Sequence, residues 1–125
     1  MKPGISAIVL TYNQPAQLRL VLAGFAMQKN PGPFEIIVVN DGGEPNTVEA
    51  VVQGFAEALP VRIVHIAETA ERRLNPARNA GLRAAKFWRV LMNDGDSIPG
   101  PELVAHYQSQ IDEEKALAAL LEHEQ

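Results

Sequence analysis

Asp94-Gly95-Asp96 carries two carboxylates one residue apart, with a glycine between them. Both can turn toward one hard cation. Mg²⁺ and Mn²⁺ prefer oxygen ligands and often bind through one or two carboxylates plus substrate phosphates. A cation held this way offsets charge that develops on a leaving diphosphate. The same three residues also make an ordinary turn, because Asp and Gly are the commonest turn formers. Spacing alone favours the turn, so position has to decide. Asp41, followed by Gly42-Gly43, has the same two readings: a turn, or an acceptor for a base N–H or a ribose hydroxyl. Tyr12 can stack on a flat base or wedge between helix and sheet. Arg78, beside Asn79, falls near a helix start, where the dipole prefers acids. That mismatch favours a contact with a phosphate or another loop. Arg72 and Arg73 read as a solvated basic loop. His65, His106 and His123 are dispersed and share no metal-ligand spacing; His65 reads as a structural residue at a strand end.

The elements that position these groups follow from the hydrophobic pattern. Residues 5–10 form a short apolar, β-branched run that reads as a buried strand. Pro15 suits a first helical turn, with Asn13 or Gln14 at the cap and Asn13 the better capping chemistry. Leu18, Val21, Leu22, Phe25 and Ala26 recur at helical spacing. Residues 34–39 read as a second strand and 61–66 as a third. Between them a helix carries Val48, Val51, Val52 and Phe55, with Asn46 or Thr47 as its cap. Asn75-Pro76 signals a third helix. Residues 87–92 read as a fourth strand, and a last helix starts near Pro101 or Glu102. Trp88 reads as core or sheet-edge packing. Strand alternating with helix, and strands apolar on both faces, predict a parallel sheet covered by helices on both sides. In such sheets ligands bind beyond the carboxyl ends of the strands, where strand order reverses. Those ends are Thr11-Tyr12-Asn13, Asn40-Asp41-Gly42-Gly43 and Asn93-Asp94-Gly95-Asp96. If strands one and four are neighbours, the first and last of these face one crevice.

Composition narrows the class. The 125 residues fit one domain, 1–125, with 46% hydrophobic and 21% charged residues. A net charge of −4 argues against a nucleic-acid partner, which needs a dense basic field. With no cysteine, disulfides, thiolate zinc sites and cysteine nucleophiles are excluded. No segment reads as a signal peptide or membrane span, so a cytoplasmic location is expected, with peripheral attachment at the inner membrane face left open. No glycine-rich phosphate loop of the Walker or dinucleotide-binding type follows strand one.

Taken together, four segments resemble family 2 glycosyltransferases. Residues 6–13, ending Thr11-Tyr12-Asn13, are similar to the family's opening strand. Residues 34–43 are similar to its second strand, which usually ends Asp-Asp-Gly-Ser. Ala77-Arg78-Asn79-Ala80-Gly81 resembles its Ala-Arg-Asn-x-Gly helix start, and Asp94-Gly95-Asp96-Ser97-Ile98-Pro99 resembles its Asp-x-Asp segment. The departures are Leu10 for a proline or small residue, Asn40 for the first Asp of a pair, Gly43 for Ser, and Asn93 for an apolar residue.

The resemblance implies a Rossmann-like GT-A fold and transfer of a sugar from a nucleoside diphosphate, expected to be UDP, to an acceptor hydroxyl. Thr11, Tyr12, Asn13 and Asp41 match the positions that hold the base, with Asp41 reading a ring N–H. Arg78 and Asn79 match the helix start that lines the donor site. Asp94, with Gly95 beside it, matches the ribose and diphosphate position, and Asp94 and Asp96 match the ligands of Mn²⁺ or Mg²⁺. The family continues past the Asp-x-Asp motif into an acceptor region with a catalytic base. Here one helix follows, and its carboxylates have a solvent-facing pattern. The expectation is therefore a donor half truncated after the motif, completed by a second copy or a partner chain, with a glycan or lipid-linked acceptor. The alternative is a non-catalytic module that binds a nucleotide sugar or a partner.

Overall fold

The structure, a computed structural model, describes residues 2–67, 74–93 and 97–123. Its elements alternate as β1 (Lys2–Thr11), α1 (Pro15–Ala26), β2 (Phe34–Asp41), α2 (Pro45–Gln53), β3 (Val61–Ile66), α3 (Leu74–Ala84), β4 (Phe87–Asn93) and α4 (Leu103–His123). The strands form one sheet in the order β3-β2-β1-β4, with every neighbouring pair parallel. The chain steps from β1 to β2 to β3 in one direction, then crosses back to lay β4 on the other side of β1. Strand order therefore reverses at the β1/β4 boundary.

Alternation along the strands divides the core in two. Ile5, Ala7 and Val9 of β1, with Ile36 and Val38 of β2, pack against α1, α2 and α4 through Leu18, Val21, Leu22, Phe25, Val48, Val51, Val52, Val104 and Ile111. Ile8, Ile37 and Val39 face the other way, toward Ala77 and Ala80 of α3. Each fully buried aliphatic or Phe side chain contributes about 1.5–3 kcal/mol relative to exposure, so the face with three helices holds most of the stability. On the α3 face, small residues let helix and sheet approach closely. A Cβ on Gly81 would lie 2.6 Å from Ile8 Cγ2, so this turn of α3 accepts only glycine without a shift.

The helix starts differ from the sequence expectation. Asn13 does not cap α1; it takes a left-handed backbone conformation, φ 48°, and Gln14 occupies the cap without a side-chain bond. Pro15 at the first position removes one N–H that would need a partner, which lessens the demand for a side-chain cap. For α2 the cap is Glu44 rather than Asn46 or Thr47, its carboxylate accepting from Thr47 N–H at 2.8 Å. That bond, one from Asn46 N–H and one from the Thr47 hydroxyl hold the exposed Glu44 carboxyl below its ordinary range. Helix α3 begins at Leu74, so Asn75 lies inside it. Trp88 is a sheet-edge residue, half exposed on β4, with Lys115 Nζ 5.5 Å from its ring centroid. In α4 the outer half is solvated, and Leu117, Leu120 and Leu121 are exposed. No helix among the described residues is long and apolar enough to cross a membrane.

At the amino-terminal edge of the sheet one carboxylate joins all four strands. Glu35, only 2% exposed, lies in register with Ser6. Its Oε2 accepts from the Ser6 hydroxyl at 2.7 Å and from Lys86 N–H at 2.8 Å. Its Oε1 accepts from Arg62 Nε at 3.1 Å. Ser6 Oγ in turn accepts from Phe87 N–H at 3.1 Å, and Arg62 also donates to the Ala84 carbonyl at the end of α3. Burial alone would raise the Glu35 pKa, but the Lys86 amide, the Ser6 hydroxyl and the Arg62 guanidinium together outweigh it and hold it low.

Glu35→Ala leaves the buried Ser6 hydroxyl and Lys86 N–H without an acceptor, which costs about 2–4 kcal/mol of unfolding free energy in a denaturant titration. The folded pKa lies below the unfolded one, so this stabilisation is complete above the ordinary glutamate value and is lost as pH falls through the folded value. The stability advantage of the natural protein over Glu35→Gln, followed by thermal melts, should therefore shrink below about pH 4.5 and stay constant above about pH 6.

Candidate functional site

The carboxyl ends of the strands carry the residues singled out from the sequence. Register sets their heights: Thr11 stands opposite Asn40, Asn40 opposite His65, and Asn93 opposite Val9. The three polar strand ends therefore lie along one edge, and β1 separates the second from the fourth. The condition that β1 and β4 be neighbours is met.

The β1 and β2 ends touch. Thr11 is buried and Tyr12 half-buried, and Asn13 turns outward. A Cβ on Gly43 would come within 3.2 Å of Asn13 Oδ1, so these two loops are packed together. Beside them, between the starts of α1 and α2, is a cavity of about 130 Å³ lined by Thr11, Asn13, Gln14, Leu18, Glu44 and Thr47, among others. It opens on the face of the sheet that α1 and α2 cover.

The β2 turn is built around Asn40, which is 1% exposed. Asn40 Oδ1 accepts from Gly43 N–H at 3.0 Å, and Nδ2 donates to the Gly43 carbonyl at 2.9 Å. Both bonds close on one residue, so the side-chain amide imitates a strand partner and bends the chain back. Gly42 makes the bend with φ +80°, and its N–H donates to the Ile66 carbonyl at 3.1 Å. The turn leaves Asp41 at the rim. Strand alternation puts its side chain on the face opposite Asn40, and among the described residues its carboxylate has no hydrogen-bond or ion-pair partner. A half-exposed carboxylate without a partner can accept a hydrogen bond from a ligand without first breaking one.

Arg78 and Asn79 lie in α3 with exposed side chains. They sit on the opposite face of the sheet from the Thr11 cavity, because α3 alone covers that face. Strand ends, cavity and α3 thus surround the edge from both faces, rather than forming one compact cluster. Asp94, Gly95 and Asp96 lie outside the described residues, as do Arg72 and Arg73. What is described is how their segment is tied at both ends: Asn93, 7% exposed, donates from Nδ2 to the Ser97 carbonyl at 2.9 Å. Beyond it Gln28 accepts from Val104 N–H and donates to the Gly100 carbonyl, which fixes the stretch entering α4. Among the described residues no group of three or more His, Asp or Glu could hold a metal.

Sequence reasoning missed the two asparagines. Asn40 and Asn93 were noted as departures from a family pattern, but each closes a loop with its side chain. The available signal was a short amide immediately before a glycine-containing acidic turn, where side chain–backbone bonds are common.

A parallel sheet whose order reverses beside polar strand ends, with helices on both faces, is the architecture of nucleotide-sugar transferases of the GT-A type. The family model described as Glycosyl transferase family 2 matches residues 6–123, and the chain belongs to that family. Over 117 residues, 94% of this chain, it is 33% identical to a hyaluronan synthase of Pasteurella multocida. Over 104 residues, 83% of this chain, it is 36% identical to a chondroitin synthase of Escherichia coli. It spans only 12% and 15% of the length of those two relatives. Among solved structures, S. aureus TarS 1-349 in complex with UDP-GlcNAc superposes with a TM-score of 0.75 at 27% identity, covering 90% of this chain and 32% of that one. The mannosyltransferase PcManGT from Pyrobaculum calidifontis, in complex with GDP-Man and Mn²⁺, gives a TM-score of 0.65 at 26% identity, covering 78% and 29%.

Gly42→Ala forces a Cβ into the left-handed region and should lower stability by about 1–2 kcal/mol. Calorimetric melting of the variant checks this. An unchanged midpoint would mean that the turn can be made without positive φ.

Proposed function

We propose that this domain binds the nucleoside diphosphate of a nucleotide sugar, a UDP-sugar, and supplies the donor half of a sugar transfer to an acceptor hydroxyl. The observation that carries the reading is the Asp41 carboxylate, which has no hydrogen-bond or ion-pair partner among the described residues and stands at the rim of β2 beside the Thr11-Tyr12-Asn13 end of β1. A uracil ring presents an N–H to such a carboxylate, and a charge-assisted bond of this kind is among the stronger neutral-ligand contacts. Tyr12 offers a ring face next to it. Arg78 and Asn79 offer a guanidinium and an amide from the second turn of α3, and the guanidinium suits a phosphate.

Asp94 and Asp96 would hold a Mn²⁺ or Mg²⁺ ion. Bound there, such an ion supplies charge neutralisation at the diphosphate, which makes it a better leaving group. The chain's own residues then have separable tasks. Asp41 and Tyr12 orient the base, Arg78 and Asn79 in the second turn of α3 orient the phosphates, and Asn93 holds the ends of the acidic segment together. The ligands of TarS and PcManGT support this reading by kinship of fold.

A second reading, a module that binds the donor without transferring the sugar, is favoured by one observation. The carboxylates of α4 are exposed along its surface, and Glu114 is paired with Arg89, so none is poised as a base for an acceptor hydroxyl. In the first reading the base, and the contacts to a glycan or lipid-linked acceptor, come from elsewhere in the full protein.

Titration calorimetry with UDP, with and without Mn²⁺, tests the donor site. Mn²⁺ should tighten UDP binding, and Asp96→Ala should remove about tenfold or more of the Mn²⁺-dependent affinity while leaving the metal-free affinity unchanged. Equal binding with and without the ion, or an Asp96→Ala variant that binds as the natural protein does, would overturn the metal-assisted reading. Release of sugar from UDP-GlcNAc, with or without an acceptor, separates a transferase from a binding module.

A further inference from the structure

The Asn40 amide has a third partner, and its direction is determined. Because Gly43 N–H can only donate, Asn40 Oδ1 must face it. Nδ2 therefore faces the Gly43 carbonyl with one hydrogen and His65 Nδ1, 3.0 Å away, with the other. That makes Nδ1 the acceptor and places the ring proton on Nε2, which donates to Glu49 Oε1 at 3.1 Å. The result is a one-directional chain across three elements: Asn40 at the end of β2, His65 on β3, and Glu49 on α2. Every donor and acceptor in it is matched, and reversing any one of them leaves two donors facing each other.

We propose that Asn40, His65 and Glu49 are positioning residues that set the base preference of the nucleotide site through Asp41; this rests on the reading of Asp41 as the group that meets the base. The argument is mechanical. Asp41 has no side-chain partner of its own among the described residues, so within them its carboxylate is placed by its backbone. That backbone is held on one side by the Asn40–Gly43 ring and on the other by pairing with β3, where Gly42 N–H meets the Ile66 carbonyl. His65 belongs to both restraints: it stands opposite Asn40 in the β2–β3 register and bonds its side chain. A carboxylate at position 40 would face the Gly43 carbonyl and His65 Nδ1 with no hydrogen to give. The asparagine is what allows a neutral histidine to brace this turn.

The consequence is a change in discrimination rather than in general affinity. Uracil carries a hydrogen on N3, whereas cytosine presents a lone pair there and its N4 amino donor one position away, so the ratio of UDP to CDP affinity reads whether Asp41 is held in line with N3 or is free to shift toward N4. His65→Leu removes the acceptor that Asn40 needs and should lower this ratio about tenfold, the equivalent of losing one satisfied, partly buried bond. His65→Asn presents an acceptor in place of Nδ1 and should restore most of the ratio. Binding of inorganic pyrophosphate with Mg²⁺ should be the same in all three proteins, because the phosphate contacts lie elsewhere.

The test is competition calorimetry with UDP, CDP and pyrophosphate on the natural protein, His65→Leu, His65→Asn and Asp41→Ala. Nitrogen-15 NMR of the His65 ring and hydrogen exchange at Gly43 N–H are measured alongside. The expected result is loss of base discrimination in His65→Leu, its rescue in His65→Asn, an Nε2-protonated ring in the natural protein, and faster Gly43 exchange in His65→Leu. If Asp41→Ala abolishes discrimination and His65→Leu leaves it intact, the relay is overturned and the site reading stands. If Asp41→Ala leaves UDP and CDP binding untouched, the reading of Asp41 falls and the proposal falls with it. A ring protonated on Nδ1 overturns the relay whatever the binding data show, and this readout stands even if His65→Leu fails to fold.

Discussion

Four strands meet at the buried Glu35 carboxylate, and that junction governs where everything else can be. It accepts from Ser6 of β1, from Arg62 of β3 and from the amide that opens β4, while lying on β2 itself. A parallel strand cannot slide without moving both of its ends. Fixing relative heights at the amino edge therefore fixes them at the carboxyl edge, where Thr11, Asn40 and His65 stand in one row. A slip of one residue would also turn Ile8, Ile37 and Val39 into the face that now holds Ala7, Ile36 and Val38, so polar anchoring and apolar packing demand the same register. The cost of burying a carboxylate is offset by matched donors on both oxygens rather than by the Arg62 charge alone.

The carboxyl edge repeats this use of short polar side chains on a smaller scale. Asn40 closes the β2 turn and Asn93 ties the ends of the acidic segment after β4. Each is buried, and each uses its amide to bond a backbone group of its own loop. What this leaves at the rim is the Asp41 carboxylate, which has no hydrogen-bond or ion-pair partner among the described residues. Strands and short amides hold the backbone there, while this carboxylate carries no internal obligation to a described residue. That division is what a donor site requires, because a carboxylate already committed to an internal partner would have to lose it on binding.

Much of the fold was legible because the physics is local. Apolar β-branched runs at 5–10, 34–39 and 61–66 have one good solution, and Pro15 marks the start of α1 by chemistry that belongs to proline itself, whereas α3 starts two residues ahead of Pro76. The reversal at β1/β4 could be stated only conditionally, since strand adjacency is a long-range property. The caps were misread for a physical reason: Asn13 has good capping chemistry but takes a left-handed backbone to turn out of β1, and Glu44 reaches its cap position because Pro45 fixes the first turn. The identities of Thr11, Tyr12, Asp41 and Arg78 were visible as polar groups at strand and helix ends. The placement of Arg78 and Asn79 on the opposite face from the Thr11 cavity was not, because it depends on α3 covering that face alone. The Asn40–His65–Glu49 chain was invisible for the same reason, its members being brought together only by the β2–β3 register and the packing of α2.

The central claim is that the carboxyl edge of this sheet, on both sides of β1, receives a nucleoside diphosphate. Mapping amide chemical shifts of the isotope-labelled protein on addition of UDP with Mg²⁺ tests it directly. The account predicts perturbations concentrated at Thr11–Asn13, Asp41–Gly43 and Arg78–Asn79, with the Ser6–Glu35 edge silent. Perturbations centred instead on the Ser6–Glu35 edge, or on the surface of Trp88, Arg89 and Glu114, would contradict it, as would no perturbation at millimolar UDP.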